Sequence, residues 1–306
     1  MSQTAASQND VRAASAEARP AFDGLGTDGG GAVGRSWLSR NRWLLYRRTS
    51  QLLIFALFLT GPLFGVWVLK GNLSASLLFD NVPLTDPLLM LQTMVAGHWP
   101  YATALTGAAI MLLFYVLAGG RVFCSWVCPV NVVTDAAAWM RRKLGIKTGR
   151  VPDANTRYWL LGGVLLASAL SGALVWEWVN PVSLLHRALI FSLWASLWPI
   201  AGLFLYDLLV ASRGWCGHLC PVGAFYGLLG RTALVRISAA QRSACDDCMD
   251  CFTVCPEPQV IRPALKKDGQ THPLILSGEC TNCGRCIDVC DRLVFKMTHR
   301  FDPRSV

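Results

Sequence analysis

The chain has 306 residues, of which 53% are hydrophobic and only 15% are charged, and its formal net charge is +9. Soluble domains carry about 25% charged residues, so this composition argues against an ordinary water-soluble protein and predicts a membrane protein. The basic residues flank apolar segments, which favours a role in membrane orientation over nucleic-acid binding. The twelve cysteines lie mostly in tight Cx2C spacing, which favours metal binding over disulfides.

The chain begins with residues 1–48, a segment whose first part is rich in Ala, Ser, Gly and Asp and lacks hydrophobic periodicity. Such a composition cannot bury enough apolar surface to fold by itself, and it predicts a largely disordered cytoplasmic tail.

Four apolar segments without Lys or Arg follow, at residues 52–69, 101–118, 159–175 and 188–210. A transmembrane helix takes about 20 apolar residues, with a lower limit near 17, so each segment is long enough to be one. Lys and Arg are concentrated before the first segment, between the second and third, and after the fourth. This distribution predicts a multi-pass protein of a bacterial inner membrane with its N- and C-termini in the cytoplasm.

A motif, R-x-x-C-x-x-x-C-P-V, occurs once after the second apolar segment and once after the fourth, which suggests a duplicated unit. Its cysteines are Cys124 and Cys128 in the first copy, and Cys216 and Cys220 in the second. The i, i+4 spacing places both sulfurs of a pair on one face of a helix. Two interpretations stay open: the four thiols have redox or metal-related work, or they are docking or packing residues, since buried cysteine often has no chemical role.

Two further cysteine runs lie near the C-terminus. They are Cys245, Cys248, Cys251 and Cys255, followed by Pro256, and then Cys280, Cys283, Cys286 and Cys290. The Cx2Cx2Cx3C spacing is that of bacterial ferredoxins, in which the fourth cysteine of each run ligates the other of two clusters. It predicts one [4Fe–4S] cluster on Cys245, Cys248, Cys251 and Cys290, and a second on Cys255, Cys280, Cys283 and Cys286. Structural zinc is the alternative, but its sites typically show two separated cysteine pairs.

The predicted fold class is therefore an all-α membrane protein. Four transmembrane helices, in two repeated pairs, occupy residues 49–235, and a small cytoplasmic ferredoxin-like domain with two [4Fe–4S] clusters occupies residues 236–306.

Five segments of the sequence resemble the NapH family, the membrane ferredoxin-type component of periplasmic nitrate reductase systems. They are WVLKGNLSASLLFDNVPLTDPL, FCSWVCPVN, WEWVNPVSLLHR, GWCGHLCPVGAFYG and CMDCFTVCPEP. The resemblance runs from about Trp37 to Lys296 and implies a quinol dehydrogenase component, with quinol as its substrate. It also implies a periplasmic ferredoxin-type partner similar to NapG, in some organisms a membrane tetrahaem cytochrome, and periplasmic nitrate reductase as an indirect partner.

Candidates for a quinol site are His98, Glu177 and His186, which lie in loops between the apolar segments. Such a site needs an apolar pocket with one or two proton acceptors, and histidine or a carboxylate suits that role. The alternative is that these are ordinary loop residues.

We therefore expect an iron–sulfur electron-transfer subunit that passes electrons from quinol towards periplasmic nitrate reductase and is not catalytic on its own. The alternative is a maturation or redox-support factor for the assembly of a metalloenzyme. A transporter is disfavoured because the apolar segments hold few charges that could line a polar path.

Overall fold

The computed structural model describes residues 36–146, 149, 151–191, 193–267 and 272–302. Most of the predicted disordered tail, up to residue 35, lies outside these residues, and the chain is helical from Trp37 onwards. The α-helices are α1 (Trp37–Arg40), α2 (Arg42–Phe64), α3 (Pro87–Val95), α4 (Ala102–Ala118), α5 (Val130–Lys143), α6 (Thr156–Ser171), α7 (Val175–Val179), α8 (Pro181–Phe191), α9 (Leu197–Leu205), α10 (Pro221–Leu229), α11 (Asp250–Val254), α12 (Ile261–Lys266) and α13 (Arg285–Val289).

Shorter helical turns join several of these helices. Three are π-helical, π1 (Phe123–Val127), π2 (Tyr206–Val210) and π3 (Trp215–Leu219), and the 3₁₀ turns are Trp194–Ser196, Gly230–Thr232, Arg242–Ala244 and Pro258–Val260. π-Helical turns are rare and occur frequently at functional sites. Here π1 and π3 contain Cys124 and Cys216, the first cysteines of the two Cx3CP motifs, and each turn ends just before the second cysteine.

Two small antiparallel sheets complete the fold. Strands β1 (Leu69–Gly71), β2 (Ala75–Leu78) and β3 (Val82–Thr85) form one sheet in the order β1-β2-β3. In the other sheet, β4 (Val235–Ser238) pairs with β5 (Lys296–His299), with Val235 opposite His299. The second sheet brackets the cysteine runs, because β4 precedes the first run and β5 follows the second.

The prediction of an all-α membrane protein with four transmembrane helices is wrong. Strands β1 to β3 begin inside the first apolar segment, and helix α2 ends at Gly65, which has a left-handed φ of 71°. The N-terminal part of α2 carries Arg42, Arg47 and Arg48. Helices α4 and α6 have 17 and 16 residues, and a 3₁₀ turn at Trp194–Ser196 divides the fourth segment.

Within the described ranges, no helix combines the length and the hydrophobicity that crossing a bilayer requires. The predicted multi-pass location in a bacterial inner membrane, with cytoplasmic termini, is contradicted by the same finding.

The chain packs around two hydrophobic cores. The first, the helical core, includes Leu88, Tyr115, Phe123, Trp176 and Tyr226. The second, the cysteine-run core, includes Ile237, Phe252, Ile261, Ile287 and Phe295.

The first Cx3CP segment and helix α10 pack closely against each other at Gly120. A Cβ atom at this position would lie 1.9 Å from the carbonyl oxygen of Tyr226, so the contact requires glycine.

Candidate iron–sulfur site

The first group of sulfurs, here called the outer group, lines a pocket at the surface of the cysteine-run core. Its members are Cys245, Cys248, Cys251 and Cys290, and Phe252 and Phe295 complete the apolar wall. Cys248 is exposed, whereas Cys251 is buried. Asp247 and Met249 adopt left-handed φ values of 60° and 63°, which turn the chain around the pocket.

The second group of sulfurs, the inner group, consists of Cys255, Cys280, Cys283 and Cys286, all buried or half-buried. The thiol of Cys286 lies within electrostatic range of the other three members, and also of Cys251 in the outer group. Burial works against ionisation of the Cys283 thiol, but Arg285 and Arg47 outweigh it and hold its pKa below the usual value. The inner group is thus adjacent to the outer group and lies beside two cations.

Five of these eight cysteines share a local hydrogen-bond pattern, in which the backbone N–H two residues later donates to the sulfur. The cysteines whose sulfur accepts in this way are Cys245, Cys248, Cys255, Cys280 and Cys283. Burial raises the pKa of four of these thiols, and the N–H···S bonds act in the opposite direction; only at Cys283 is the pKa below its usual value.

Asp135 in helix α5 joins the helical part of the protein to the second cysteine run. Its carboxylate accepts from Arg48 at 2.6 Å and from Arg285 at 2.6 Å, and it lies 3.9 Å from Arg47 and 3.8 Å from Arg213. Although burial opposes ionisation, Arg285 and Arg213 hold the pKa of Asp135 well below its usual range. Because Arg285 lies two residues after Cys283, this cluster of charges fixes the position of the inner group.

A second charge network, centred on the buried Glu257, also lies beside the inner group. Glu257, only 2% exposed, accepts from Arg121 at 2.7 Å and from Arg157 at 3.2 Å. Arg157 also pairs with Glu279, and Gln259 donates to both carboxylates, at 2.7 Å and 3.0 Å. Glu257 and Glu279 flank Cys255 and Cys280 in the sequence, so the network connects the inner group to the first Cx3CP arginine, Arg121.

The two Cx3CP segments contact the backbone of the ferredoxin-type cysteine runs. Ser125, between Cys124 and Cys128, donates to the carbonyl of Thr281 at 2.7 Å, and Trp126 donates to the carbonyl of Asn282 at 3.2 Å. Near the second motif, Arg213 donates to the carbonyl of Val254 at 3.0 Å. The first Cx3CP motif therefore contacts the backbone between Cys280 and Cys283, and the second contacts the backbone next to Cys255.

The three candidates for a quinol site occupy different environments. His98 is exposed in the turn after helix α3. Glu177 accepts from Ser74 at 3.2 Å, from Asn180 at 3.0 Å and from Ser183 at 2.8 Å. Glu177 therefore lies in a polar network that joins the turn before strand β2 to helix α8.

His186, one turn after Ser183 on helix α8, is 1% exposed and packs edge-on against Phe58 at 5.0 Å. Burial, with a smaller contribution from Arg187, lowers the pKa of His186 to about 4. The imidazole is therefore neutral at physiological pH.

Sequence reasoning did not single out Asp86, Tyr226 and Gln92 as a group. Asp86 accepts from the Tyr226 hydroxyl at 3.0 Å, and burial raises the pKa of the carboxyl to about 6. Tyr226 stacks on Phe123 at 5.3 Å, next to Cys124. Gln92 is 0% exposed, and within the described part of the chain its amide N and O have no hydrogen-bond partner. Asp86, like the three quinol-site candidates, lies in a loop between apolar segments, but nothing near it in the sequence indicates Tyr226, which is 140 residues away.

The donor set of the two groups fits iron–sulfur clusters. All eight residues are cysteines, and thiolates in Cx2Cx2Cx3C spacing are the ligands of [4Fe–4S] clusters in bacterial ferredoxins. The outer and inner groups, each of four thiols, fit such a cluster.

Two family models match the chain, one at the Cx3CP segments and one at the ferredoxin-type cysteine runs. A family model described as a 4Fe-4S binding domain matches residues 102–147 and again 191–238, and one described as a 4Fe-4S dicluster domain matches residues 244–292. The chain is 54% identical over 266 residues to the ferredoxin-type protein NapH of Haemophilus influenzae, covering 87% of this chain and 93% of the relative. It is 50% identical over 268 residues to NapH of Escherichia coli K12, with 87% and 93% covered.

Another relative has a different name. The methylamine utilization ferredoxin-type protein MauN of Methylorubrum extorquens is 53% identical over 270 residues, covering 88% of this chain and 93% of the relative. No solved structure matches the chain.

These similarities confirm the prediction of two [4Fe–4S] clusters and support an iron–sulfur electron-transfer role. Because the relatives are at least 50% identical over most of their length, their family can be stated directly. The chain belongs to the NapH family of ferredoxin-type proteins.

Proposed function

We propose that this protein is the quinol dehydrogenase component of an electron-transfer system that delivers electrons towards periplasmic nitrate reductase. The observation that carries the proposal is the division of eight cysteines into two adjacent groups of four in a chain about half identical to NapH. The system would include a ferredoxin-type partner similar to NapG and, in some organisms, a tetrahaem cytochrome.

The outer group, Cys245, Cys248, Cys251 and Cys290, would ligate one cluster, and the inner group, Cys255, Cys280, Cys283 and Cys286, would ligate the other. A bound [4Fe–4S] cluster supplies one-electron transfer. The protein's own contribution would be the backbone N–H donors to sulfur and, beside Cys283, the positive charges of Arg285 and Arg47. Both favour the added negative charge of a reduced state.

Oxidation of a quinol to a quinone releases two electrons and two protons, so a quinol site needs proton acceptors. Asp86 and Glu177 would fill this role, because both residues bind Ser74: its backbone carbonyl accepts from the Asp86 N–H at 2.8 Å, and its hydroxyl donates to Glu177 at 3.2 Å. With a pKa of about 6, Asp86 is mostly ionised at neutral pH. His186 would line the apolar side of the site. His98, which is exposed in the turn after helix α3, stays a prediction.

A second candidate function is favoured by the 53% identity to MauN. In that case the protein would be a redox-support or maturation factor for another metalloenzyme, for instance one of methylamine utilisation. The two candidate functions differ in the process that receives the protein's electrons, which is nitrate reduction in the first and support of another metalloenzyme in the second.

The proposal is tested with the purified protein under anaerobic conditions. Addition of a soluble quinol analogue, in the presence of the ferredoxin-type partner, is expected to bleach the iron–sulfur absorbance and produce the EPR signal of reduced clusters. Asp86→Asn should slow this reduction at least tenfold, because its amide cannot accept a proton, whereas Asp80→Asn, an exposed control, should not.

The reduction of the iron–sulfur clusters by dithionite must proceed in both variants as it does in the wild type. Clusters that dithionite reduces but no quinol reduces would contradict the proposal. If deletion of the gene left nitrate reductase inactive even with an artificial electron donor, the maturation role would be correct instead.

A further inference from the structure

The carboxylate of Asp86 is held through one of its two oxygens. Its Oδ1 atom accepts from the backbone N–H of Leu88 at 2.9 Å and from the hydroxyl of Tyr226 at 3.0 Å. Among the described residues, Oδ2 has no hydrogen-bond partner, and the side chain is half-buried. The Leu88 contact is the ordinary cap of helix α3, but Tyr226 is 140 residues away in the sequence. The carboxylate is therefore fixed at one oxygen and unpartnered at the other.

The hydroxyl of Tyr226 has a fixed direction, because its ring is enclosed. Tyr226 is 1% exposed, stacks on Phe123 at 5.3 Å and packs edge-on against Tyr115 at 4.8 Å. Its backbone carbonyl lies against Gly120, where a Cβ atom would not fit. Rings packed in this way lock the side-chain rotamer, so the hydroxyl is already directed at Asp86 in the free protein.

Helix α10 fixes Tyr226 relative to the segments that carry the cysteines. The helix begins directly after the second Cx3CP cysteine pair, and Phe123, which stacks on the Tyr226 ring, belongs to the first Cx3CP turn. A Cβ atom at Gly278 would lie 2.0 Å from the carbonyl oxygen of Gly227, so α10 also touches the segment before the second ferredoxin-type run. Tyr226 therefore joins the Asp86 carboxylate to the cysteine-bearing part of the chain.

Among the described residues, the titratable groups in electrostatic range of Asp86 are Tyr226 on α10, Tyr115 on α4 and Glu177 on α7, and none is a cation. Burial raises the pKa of Asp86 to about 6, Glu177 adds a smaller increase, and the hydrogen bonds from Leu88 and Tyr226 lower it. Burial also raises the pKa of the Tyr226 hydroxyl well above its ordinary value, so this group stays protonated and remains a donor. The two hydrogen bonds therefore keep the carboxylate mostly ionised at neutral pH.

We propose that Tyr226 is the positioning residue of the quinol site, where its hydroxyl orients the Asp86 carboxylate through Oδ1 so that Oδ2 accepts a proton from quinol. This inference rests on the proposed function, which supplies quinol as the substrate and Asp86 as a proton acceptor. In the step itself one quinol O–H bond breaks and one O–H bond forms at Asp86, while Tyr226 keeps its own proton. The electrons of quinol leave separately, towards the iron–sulfur clusters.

The first test is the pH dependence of cluster reduction by a soluble quinol analogue, with the purified protein and its ferredoxin-type partner. In the wild type the rate should fall on the acid side with a midpoint near pH 6, since only ionised Asp86 accepts a proton. Tyr226→Phe keeps the ring and removes the donor, so the pKa of Asp86 rises and the midpoint should move up by about one pH unit. The matched control, Tyr115→Phe, removes a hydroxyl from the ring 4.8 Å away and should leave the midpoint in place.

A titration without quinol separates the hydrogen bond from the reaction. The infrared carboxyl band that disappears in Asp86→Asn should titrate near pH 6 in the wild type and about one unit higher in Tyr226→Phe. An acid midpoint or a carboxyl band that Tyr226→Phe leaves in place would overturn the role of Tyr226 and leave the proposed function intact. A wild-type protein whose clusters no quinol reduces would overturn the proposed function, and the role of Tyr226 with it.

If Tyr226→Phe does not fold, the wild-type chain labelled with 3-fluorotyrosine provides the same test. The fluorinated hydroxyl is more acidic and donates a stronger hydrogen bond, so the acid midpoint of quinol-dependent reduction should move to lower pH. The same label in Tyr115→Phe should give the same displacement. An unchanged or higher midpoint would contradict the inference.

Discussion

The outer and inner cysteine groups have the same ligand spacing but opposite surroundings. The outer group opens to the surface at Cys248, and its neighbouring charges form exposed pairs such as Asp247 with Lys266. The inner group is enclosed between the Asp135 cluster of arginines and the Glu257 network. Since both cysteine runs follow one sequence pattern, the difference in exposure between the two groups comes from the segments that pack against them.

This difference assigns separate tasks to the two groups. Exposed ion pairs contribute little to stability, so the charges around the outer group do little to hold the fold together. Buried charge networks are strongly destabilised when one member is removed, so the inner group is built into the junction between helices and cysteine runs.

The largest effect should come from Asp135→Asn. Removal of this negative charge leaves Arg47, Arg48, Arg213 and Arg285 close together without their shared partner. We expect a loss of about 3–5 kcal/mol in the free energy of unfolding, measured by urea denaturation with circular dichroism and cluster absorbance.

The matched control for Asp135→Asn is Asp80→Asn, whose partner Lys70 is 55% exposed in its side chain. Its unfolding curve should superimpose on that of the wild type. Equal effects of the two substitutions would show that the arginine cluster does not anchor the inner group.

A smaller effect, on the pH dependence of the free energy of unfolding, should come from His186 in the helical part. Its pKa of about 4 lies below the ordinary value of 6.5, so the unfolded chain binds a proton that the folded chain excludes. Stability is therefore complete above pH 6.5 and is lost as the pH falls towards 4. The loss should be about 2 kcal/mol at pH 5.

His186→Leu should abolish this part of the acid sensitivity, measured as the difference between urea midpoints at pH 7 and pH 5. The control His98→Leu changes an exposed histidine and should behave as the wild type does. An acid sensitivity that is identical in His186→Leu and the wild type would contradict the buried, neutral imidazole.

The smallest effect should come from Lys266→Gln beside the outer group. Its pair with Asp247 is exposed, so we expect no measurable change in the urea midpoint. A clear destabilisation, with loss of cluster absorbance, would show that the outer group depends on its surface charges as the inner group depends on buried ones.

The contrast between the groups also explains what the sequence could reveal. Cysteine runs are local patterns, so the two [4Fe–4S] clusters were predictable from spacing alone. Asp135 and Arg285 are 150 residues apart, and nothing near either residue indicates the other. The pairing of Asp86 with Tyr226 is likewise non-local.

The apolar segments were misinterpreted for a different reason. Hydropathy measures apolar content, but it does not detect where a helix stops. The segment 52–69 crosses the left-handed Gly65 and enters strand β1, and the segment 188–210 is divided before α9. Helix breaks that hydropathy does not detect are therefore the reason why these segments do not form the long apolar helices that composition predicted.

If the outer and inner groups ligate the two clusters, the outer cluster faces solvent and the inner cluster is enclosed. The EPR relaxation of the dithionite-reduced protein with a dissolved paramagnetic relaxing agent distinguishes these two positions. Cys248→Ser and Cys283→Ser identify the signals of the outer and inner clusters. We expect the agent to speed relaxation of the signal lost in Cys248→Ser and to leave the signal lost in Cys283→Ser nearly unchanged. Equal enhancement of both signals would contradict the claim.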